Sequence, residues 1–310
     1  MRFILPFFLS IALSPLSWSA DFQKGFTAYK NGDYATALRE WTPLAEQGDA
    51  KAQYKLAVMY ENGEGVPQDY ETALKWYVRA AEKGDADAQY ELGVMYYNED
   101  GILQILKIVK ELYLRKAVEW FTLAAEQGHA KAQFFLGSLY SDGDGVPQDY
   151  KTTVKWYTRA AETGHVSAQY NVARHYHVGV GVPQDYKIVL KWYTRAAEQG
   201  HAKSQNYLGM MYVDGEGVLR DYKIAVRWFT LAAEQDNDSA QFNLGTRYYR
   251  GEGVLQDNVY AHLWWNIASS NGNEEASFWR NDVEKRMTPT QIAEAQKLAR
   301  ECVAKNYKGC

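Results

Sequence analysis

The chain is poor in the residues that most often carry chemistry. It has two cysteines in 310 residues, Cys302 and Cys310, both at its far end. There is no C-x-x-C, no G-x-S-x-G, no H-E-x-x-H and no Gly-rich phosphate loop. The usual local signatures of redox, nucleophilic, metallopeptidase and nucleotide chemistry are therefore missing. Basic runs are missing too. With 34 basic against 38 acidic residues the formal net charge is −4, a poor match to nucleic acid.

Long apolar runs are equally scarce. Phe3 to Leu13 is short and has proline within and after it, at Pro6 and Pro15, which does not suit a membrane span. With Arg2 before it and Ser17-Trp18-Ser19 after it, residues 1–19 read as a secretory leader cut after Ser19. No cysteine follows that would take a lipid. The mature protein is expected to start at Ala20, in the periplasm or outside the cell, and not to be integral to a membrane. Losing Arg2 leaves 33 basic residues against 38 acidic.

What the chain has in abundance is one stretch, written repeatedly. Trp120, Trp156, Trp192, Trp228 and Trp264 stand 36 residues apart, and Trp76 precedes Trp120 by 44, one period plus eight. A fixed period of this size marks a repeat architecture. Within a copy, Ala73, Trp76, Tyr77, Ala80 and Ala81 fall at i, i+3, i+4, i+7 and i+8, one apolar stripe of a helix. Ala52, Leu56 and Tyr60 do the same on a helix before it. Between them Gly63-Glu64-Gly65-Val66-Pro67-Gln68-Asp69-Tyr70 supplies a turn and a helix start. Gly84, Gly128, Gly164, Gly200 and Gly272 close the copies where a left-handed residue belongs; Asp236 takes that place once, and Asp tolerates it better than most. Gly93, Gly137, Gly209 and Gly245 share a mid-helix place with Ala57 and Ala173. Small size is the requirement there, and a close helix crossing is its expected cause.

The chain then divides into a capping unit over 20–48, six full units (49–84, 85–128, 129–164, 165–200, 201–236 and 237–272) and a helical cap over 273–310. The second unit holds the eight extra residues, Ile105 to Leu112. They predict an early start to its second helix, by about two turns, whose apolar stripe either packs on neighbours or offers a surface for a partner or weak self-association. Thr288-Pro289-Thr290-Gln291 predicts a capped helix start, with Ile292, Ala295, Ala299 and Cys302 on one face. That helix would hold Cys302 and Cys310 too far apart to bond, so a break over residues 306–309 and an intrachain disulfide are expected of an exported chain.

The run A-x-A-Q-x-x-L-G-x-x-Y-x-x-G-x-G-V-x-x-D-Y-x-x-A-x-x-W-Y-x-x-A-A-E-x-G resembles the Sel-1-like repeat (SLR) family, relatives of the tetratricopeptide solenoids. The resemblance implies an all-α, right-handed solenoid of stacked helical hairpins used for protein–protein contact, with the first helices lining the concave wall. Cysteine-rich relatives have been associated with β-lactam binding or hydrolysis, but the repeats here carry no cysteine.

No cofactor and no metal are expected. His129, His165 and His201 lie one period apart, two helices from one another, too far to share an ion; they read as exposed surface. His175 and His177, at i and i+2, point apart. Binding is the remaining function. On the first helices one stripe holds, at its second position, Tyr54, Tyr90, Phe134, Tyr170, Asn206 and Phe242, where aromatics serve either packing or contact. Its third position holds Val58, Val94, Ser138, Arg174, Met210 and Thr246, and its last holds Glu61, Tyr97, Ser141, His177, Val213 and Tyr249. Structural positions repeat; the last two do not. Arg174, His177 and Tyr207 are required by nothing in the repeat, and aromatics and Arg dominate interface hot spots. Tyr90, Tyr97, Phe134, Tyr170, Arg174, His177, Tyr207, Phe242 and Tyr249 are thus the expected contacts of a protein or peptide partner. The reading is a non-enzymatic adaptor; an inhibitor or immunity protein for a secreted enzyme, or a hydrolase of β-lactams or cell wall, are the alternatives.

Overall fold

The computed structural model describes residues 20–98 and 107–310, and over these it is helical with no strand. The leader and residues 105–106 of the insertion lie outside the described residues. Within the described residues sixteen helices follow in pairs. The first five are α1 (Phe22–Lys30), α2 (Tyr34–Glu46), α3 (Ala50–Asn62), α4 (Tyr70–Glu82) and α5 (Ala86–Asn98). Next come α6 (Lys107–Glu126), α7 (Ala130–Asp142), α8 (Tyr150–Glu162), α9 (Val166–Val178) and α10 (Tyr186–Glu198). The last are α11 (Ala202–Asp214), α12 (Tyr222–Ala233), α13 (Asp238–Arg250), α14 (Asn258–Ser270), α15 (Glu274–Glu284) and α16 (Pro289–Ala304). The chain forms two units, one up to Met95 and one from Tyr96 onward. Each is an all-α stack of hairpins.

In the first unit the core gathers Ala37, Trp41, Ala45, Leu56 and Met59, with Phe26, Tyr29 and Trp76 against it. In the second unit the central core holds Tyr157, Val172, Val189, Trp192, Tyr193, Leu208 and Met211, drawn from successive hairpins. Each unit thus buries its apolar stripes against its sequence neighbours, as stacked repeats do.

The second helices are capped the same way in copy after copy. Asp69, Asp149, Asp185, Asp221 and Asp257 begin the second helices and accept from backbone N–H groups of the first turn, which satisfies donors that a helix leaves open. The glutamine of the A-x-A-Q run has a role that the stripe does not announce. Gln53, Gln89, Gln133, Gln169, Gln205 and Gln241 are buried. Each donates back to the carbonyl eight residues earlier, as Gln169 Nε2 does to Ala161 O at 3.2 Å and Gln205 to Ala197 O at 3.0 Å. These bonds tie each hairpin to the end of the one before it.

The mid-helix glycines meet an aromatic ring. A Cβ on Gly209 would stand 2.6 Å from the Phe229 ring, and one on Gly137 at 2.6 Å from that of Tyr157. The close approach is therefore to the ring of the second helix rather than to its backbone. At Asp236 the backbone does take the left-handed region, with φ 62°. The extra residues lengthen α6 to 20 residues, against 13 in α8 and α10; Leu112, near its start, is exposed.

After the repeats α15 begins at the cap Asn273, and α16 opens with a Thr288–Gln291 capping box. Ala295, Ala299 and Cys302 are buried. Beyond Ala304 the chain turns through positive φ at Asn306, Tyr307 and Gly309, and Cys302 and Cys310 are bonded, their Cα atoms 5.5 Å apart. The tail closes over the core of Ala225, Phe229 and Ala299, and the Gly309 N–H donates to Glu234 Oε1 at 3.2 Å.

Candidate binding face

The first helices α9 and α11 build the centre of the face. In α9 the small and branched residues Ala168, Val172 and Ala173 are buried; Tyr170 and His177 are half-buried at the edge of that core, Tyr170 packing against it. Tyr207 reaches the same place from α11. The Tyr193 and Tyr207 rings stack at 5.3 Å with 7° between planes. Tyr170 lies 5.9 Å from Tyr193 and 6.1 Å from Tyr207. The His177 ring is 6.5 Å from Tyr207, and its Nε2 is 3.4 Å from Glu216 Oε2. Arg174 is exposed and lines a cleft of about 540 Å³ with Asp142, Tyr150, His175 and Val178. Four of the expected contacts, Tyr170, Arg174, His177 and Tyr207, are thus brought together.

Phe242 and Tyr249 form a second cluster further along. They line a cleft of about 230 Å³ with Thr246, Arg250, Trp265 and Trp279. Tyr249 is 5.5 Å from Trp265 and 6.2 Å from Trp279, and the Arg286 guanidinium sits 5.7 Å from the Tyr249 ring. Trp265 and Trp279 were not legible as site residues. Trp265 shares its column with core aromatics, and Trp279 lies beyond the last repeat.

The other expected contacts lie apart from these clusters, Tyr97 exposed and Phe134 and Tyr90 half-buried. Phe134 lies 5.4 Å from Tyr157 and stacks on His165 at 4.6 Å; Tyr97 meets Phe135 at 6.2 Å. Tyr90 belongs to the first unit and is half-buried; burial, and then Glu91, raise its hydroxyl pKa.

The histidine ladder is not free surface. His129, His165 and His201 are half-buried and cap α7, α9 and α11. Their Nδ1 atoms accept from Ala132 N at 3.1 Å, Ala168 N at 3.3 Å and Ser204 N at 3.2 Å. The reading from the sequence failed because imidazole is an unusual cap, able to accept only while neutral. Burial lowers the pKa of His165 and His201, with Lys131 and Lys203 lowering them further, and burial also lowers that of His175. A folded state that holds histidines below their unfolded pKa keeps its full stability above about pH 6.5 and loses it as pH falls through that value. The melting temperature is therefore expected to drop between about pH 7.5 and about pH 5.5. Asn237 and Asn273 cap the same position of later hairpins. The triple variant His129→Asn, His165→Asn, His201→Asn should accordingly still melt cooperatively, with a smaller drop. An equal drop in both proteins would exclude the ladder as its source.

A second buried charge escaped the sequence. Arg247 is buried and pairs with Glu252 at 2.5 Å, in a column that elsewhere holds Met59, Leu139, His175 and Met211. Among the described residues no group of three His, Cys, Asp or Glu residues could hold a metal ion, and no helix is long and apolar enough to cross a membrane.

Family matching covers six copies of the Sel1 repeat, at residues 50–85, 86–129, 130–165, 166–201, 202–237 and 238–273. The chain belongs to the Sel1 repeat family. Sel1 repeats are scaffolds for protein–protein interaction. Among solved structures the fold is similar to a protective antigen present in uropathogenic Escherichia coli strains displaying an SLR fold. The two are 30% identical with a TM-score of 0.63, over 92% of this chain and 69% of that one. It is also similar to a Sel1 repeat protein from Oxalobacter formigenes, at 34% identity and a TM-score of 0.63, over 84% of this chain and 75% of that one. No curated protein matches the chain.

Proposed function

We propose that this Sel1 repeat protein is exported and acts as a non-enzymatic adaptor. It holds an extended segment of another protein on the first-helix face of α9 and α11. The observation that carries the reading is the meeting of Tyr170, Arg174, His177 and Tyr207 at one place, where the repeat asks for none of the last three. Flat aromatic surface with an exposed guanidinium is the composition of interface hot spots. Export is supported by the leader sequence and by the bonded pair Cys302–Cys310, since disulfides persist in oxidising compartments.

The test is recovery of the protein from envelope extracts, with N-terminal sequencing and identification of what comes with it. The chain should begin at Ala20; a retained Met1 contradicts export. Arg174→Ala and Tyr207→Ala should each weaken the captured partner by about 1–2 kcal/mol or more. The Arg174→Ala melt should stay close to the parent's, since an exposed side chain changes stability by only about 0.5 kcal/mol; Tyr207→Ala, which removes a ring stacked on the buried Tyr193, is compared by affinity at a temperature where both proteins are folded. Equal binding by both variants would remove the function from this face and pass it to the surface around the exposed Leu112 of α6.

A further inference from the structure

The charge of the second unit is unevenly placed. Along α8, Lys151, Lys155 and Arg159 stand four residues apart. Along α10, Lys187, Lys191 and Arg195 do the same, and α12 continues the pattern with Lys223 and Arg227. A spacing of four keeps each set in one row on its helix, over a length of about 12 Å. All eight are exposed. The three helices meet in one core, with Tyr157 and Ala160 from α8, Val189 and Trp192 from α10, and Trp228 of α12 packed against it. The rows therefore lie side by side.

Acids do not offset them. α8 and α10 each hold one, Glu162 and Glu198, at their last residue, and α12 holds none. Among the described residues none of the eight cations forms an ion pair. Other second helices neutralise the same columns. In α4 Glu71 stands where α8 has Lys151 and pairs with Lys75 at 2.7 Å. In α6 Glu119 stands where α8 has Lys155 and pairs with Lys116 at 2.6 Å. In α14 Leu263 and Ile267 take the places of Arg227 and Leu231, and they share a core with Ala299 and Cys302 of α16. On α8 and α10 the rings beneath hold the cations in place. Lys155 and Arg159 lie over Trp156, at 5.7 and 4.6 Å, and Lys191 and Arg195 over Trp192, at 4.7 and 5.0 Å. Their apolar stems rest on indole while the charged ends stay in water. Of the 34 basic residues these eight leave 26, against 38 acidic ones. One face is thus strongly positive on a chain that is otherwise negative.

We propose that this face docks on the surface of an anionic lipid bilayer, with the eight cations against headgroup phosphates. The docking rests on the export reading, which brings the chain beside membranes, and it leaves α9 and α11 to the protein partner. Neither cleft described above is lined by any of the eight, so they form an open array rather than a pocket for a single anion. An extended anionic plane attracts the array and repels the acidic remainder, which fixes the orientation. Exposed apolar side chains complete the fit. Leu231, 44% exposed, stands in the column of Arg159 and Arg195, and Leu219, 91% exposed, precedes the start of α12. Lipid accommodates both. Nucleic acid fits less well, because Trp156 and Trp192 are only 7% and 3% exposed, too enclosed to stack on bases.

The experiment sediments the mature chain with large vesicles, either of phosphatidylcholine alone or of phosphatidylcholine and phosphatidylglycerol in equal parts. At about 0.1 M salt the chain should partition onto the anionic vesicles about 100-fold better than onto the neutral ones, and about 1 M salt should release it. Each cation near the surface adds about five-fold, so the triple variant Lys151→Gln, Lys187→Gln, Lys223→Gln should lose about 100-fold. Replacing the same three by Arg should keep the binding, because a charged plane reads charge rather than shape. Lys51→Gln, Lys83→Gln, Lys203→Gln makes an equal change in net charge elsewhere on the chain and should stay within about two-fold of the parent. Equal partition onto both kinds of vesicle, no partition onto either, or an equal loss in the two Gln triples would overturn the docking surface. Tighter binding to a DNA duplex than to the anionic vesicles at the same salt would also overturn it. Arg174→Ala should partition as the parent does; a loss there would move the lipid contact to the first-helix face and overturn this one. The vesicle assay uses no protein partner, so its failure leaves the adaptor reading standing, and a failed capture of a partner leaves the vesicle result standing.

Discussion

Trp192→Ala should lower the unfolding free energy by about 3–5 kcal/mol, the usual cost of truncating a large buried aromatic. Trp192 is only 3% exposed and packs among Tyr157, Val172, Tyr193 and Leu208, residues of successive hairpins. The Lys191 and Arg195 cations lie over its ring, at 4.7 and 5.0 Å, so truncation also strips their apolar stems of support. In a stacked array such a loss weakens the hairpin and its interfaces on both sides. Urea denaturation followed by far-ultraviolet circular dichroism measures it. A change under about 1 kcal/mol would mean that Trp192 is not a core residue between repeats.

Gly181→Ala is the second large effect, expected at about 2–5 kcal/mol from the two contributions that follow. Its backbone sits at φ 78°, which costs a side-chain-bearing residue about 1–2 kcal/mol. An added Cβ would also stand 2.5 Å from the Tyr150 carbonyl oxygen, on the helix start of the preceding hairpin. Relieving that overlap costs about 1–3 kcal/mol more. Gly200 separates the two contributions. It has φ 87°, and an added Cβ there would meet nothing within 4 Å, so Gly200→Ala should show the backbone cost alone. Thermal melts of the two variants should differ by several degrees. Equal melts would mean that the turn does not rest on its neighbour.

Most of the architecture is legible in the sequence because the repeat states it six times. The 36-residue spacing of the tryptophans, the alanine stripes and the closing glycines each have a local physical cause, and the helices follow them. The lengthened α6 could be read from eight extra residues at helical spacing. What the sequence hides are hydrogen bonds whose partner is not fixed by spacing. The glutamine column repeats visibly, yet only the fold shows that its amide reaches a carbonyl at the end of the previous hairpin. The histidine ladder looks like surface because imidazole seldom caps a helix. The candidate face is partly legible, since Arg174, His177 and Tyr207 depart from a strict pattern.

Hydrogen–deuterium exchange of the mature chain, alone and with its captured partner, tests the central claim most directly. The amides of α9 and α11 should gain protection on binding, and Tyr207→Ala should erase the gain, while α8 and α10 stay unchanged. Protection confined to α8 and α10, or to the start of α6 at residues 107–112, would contradict the assignment of the partner to the first-helix face.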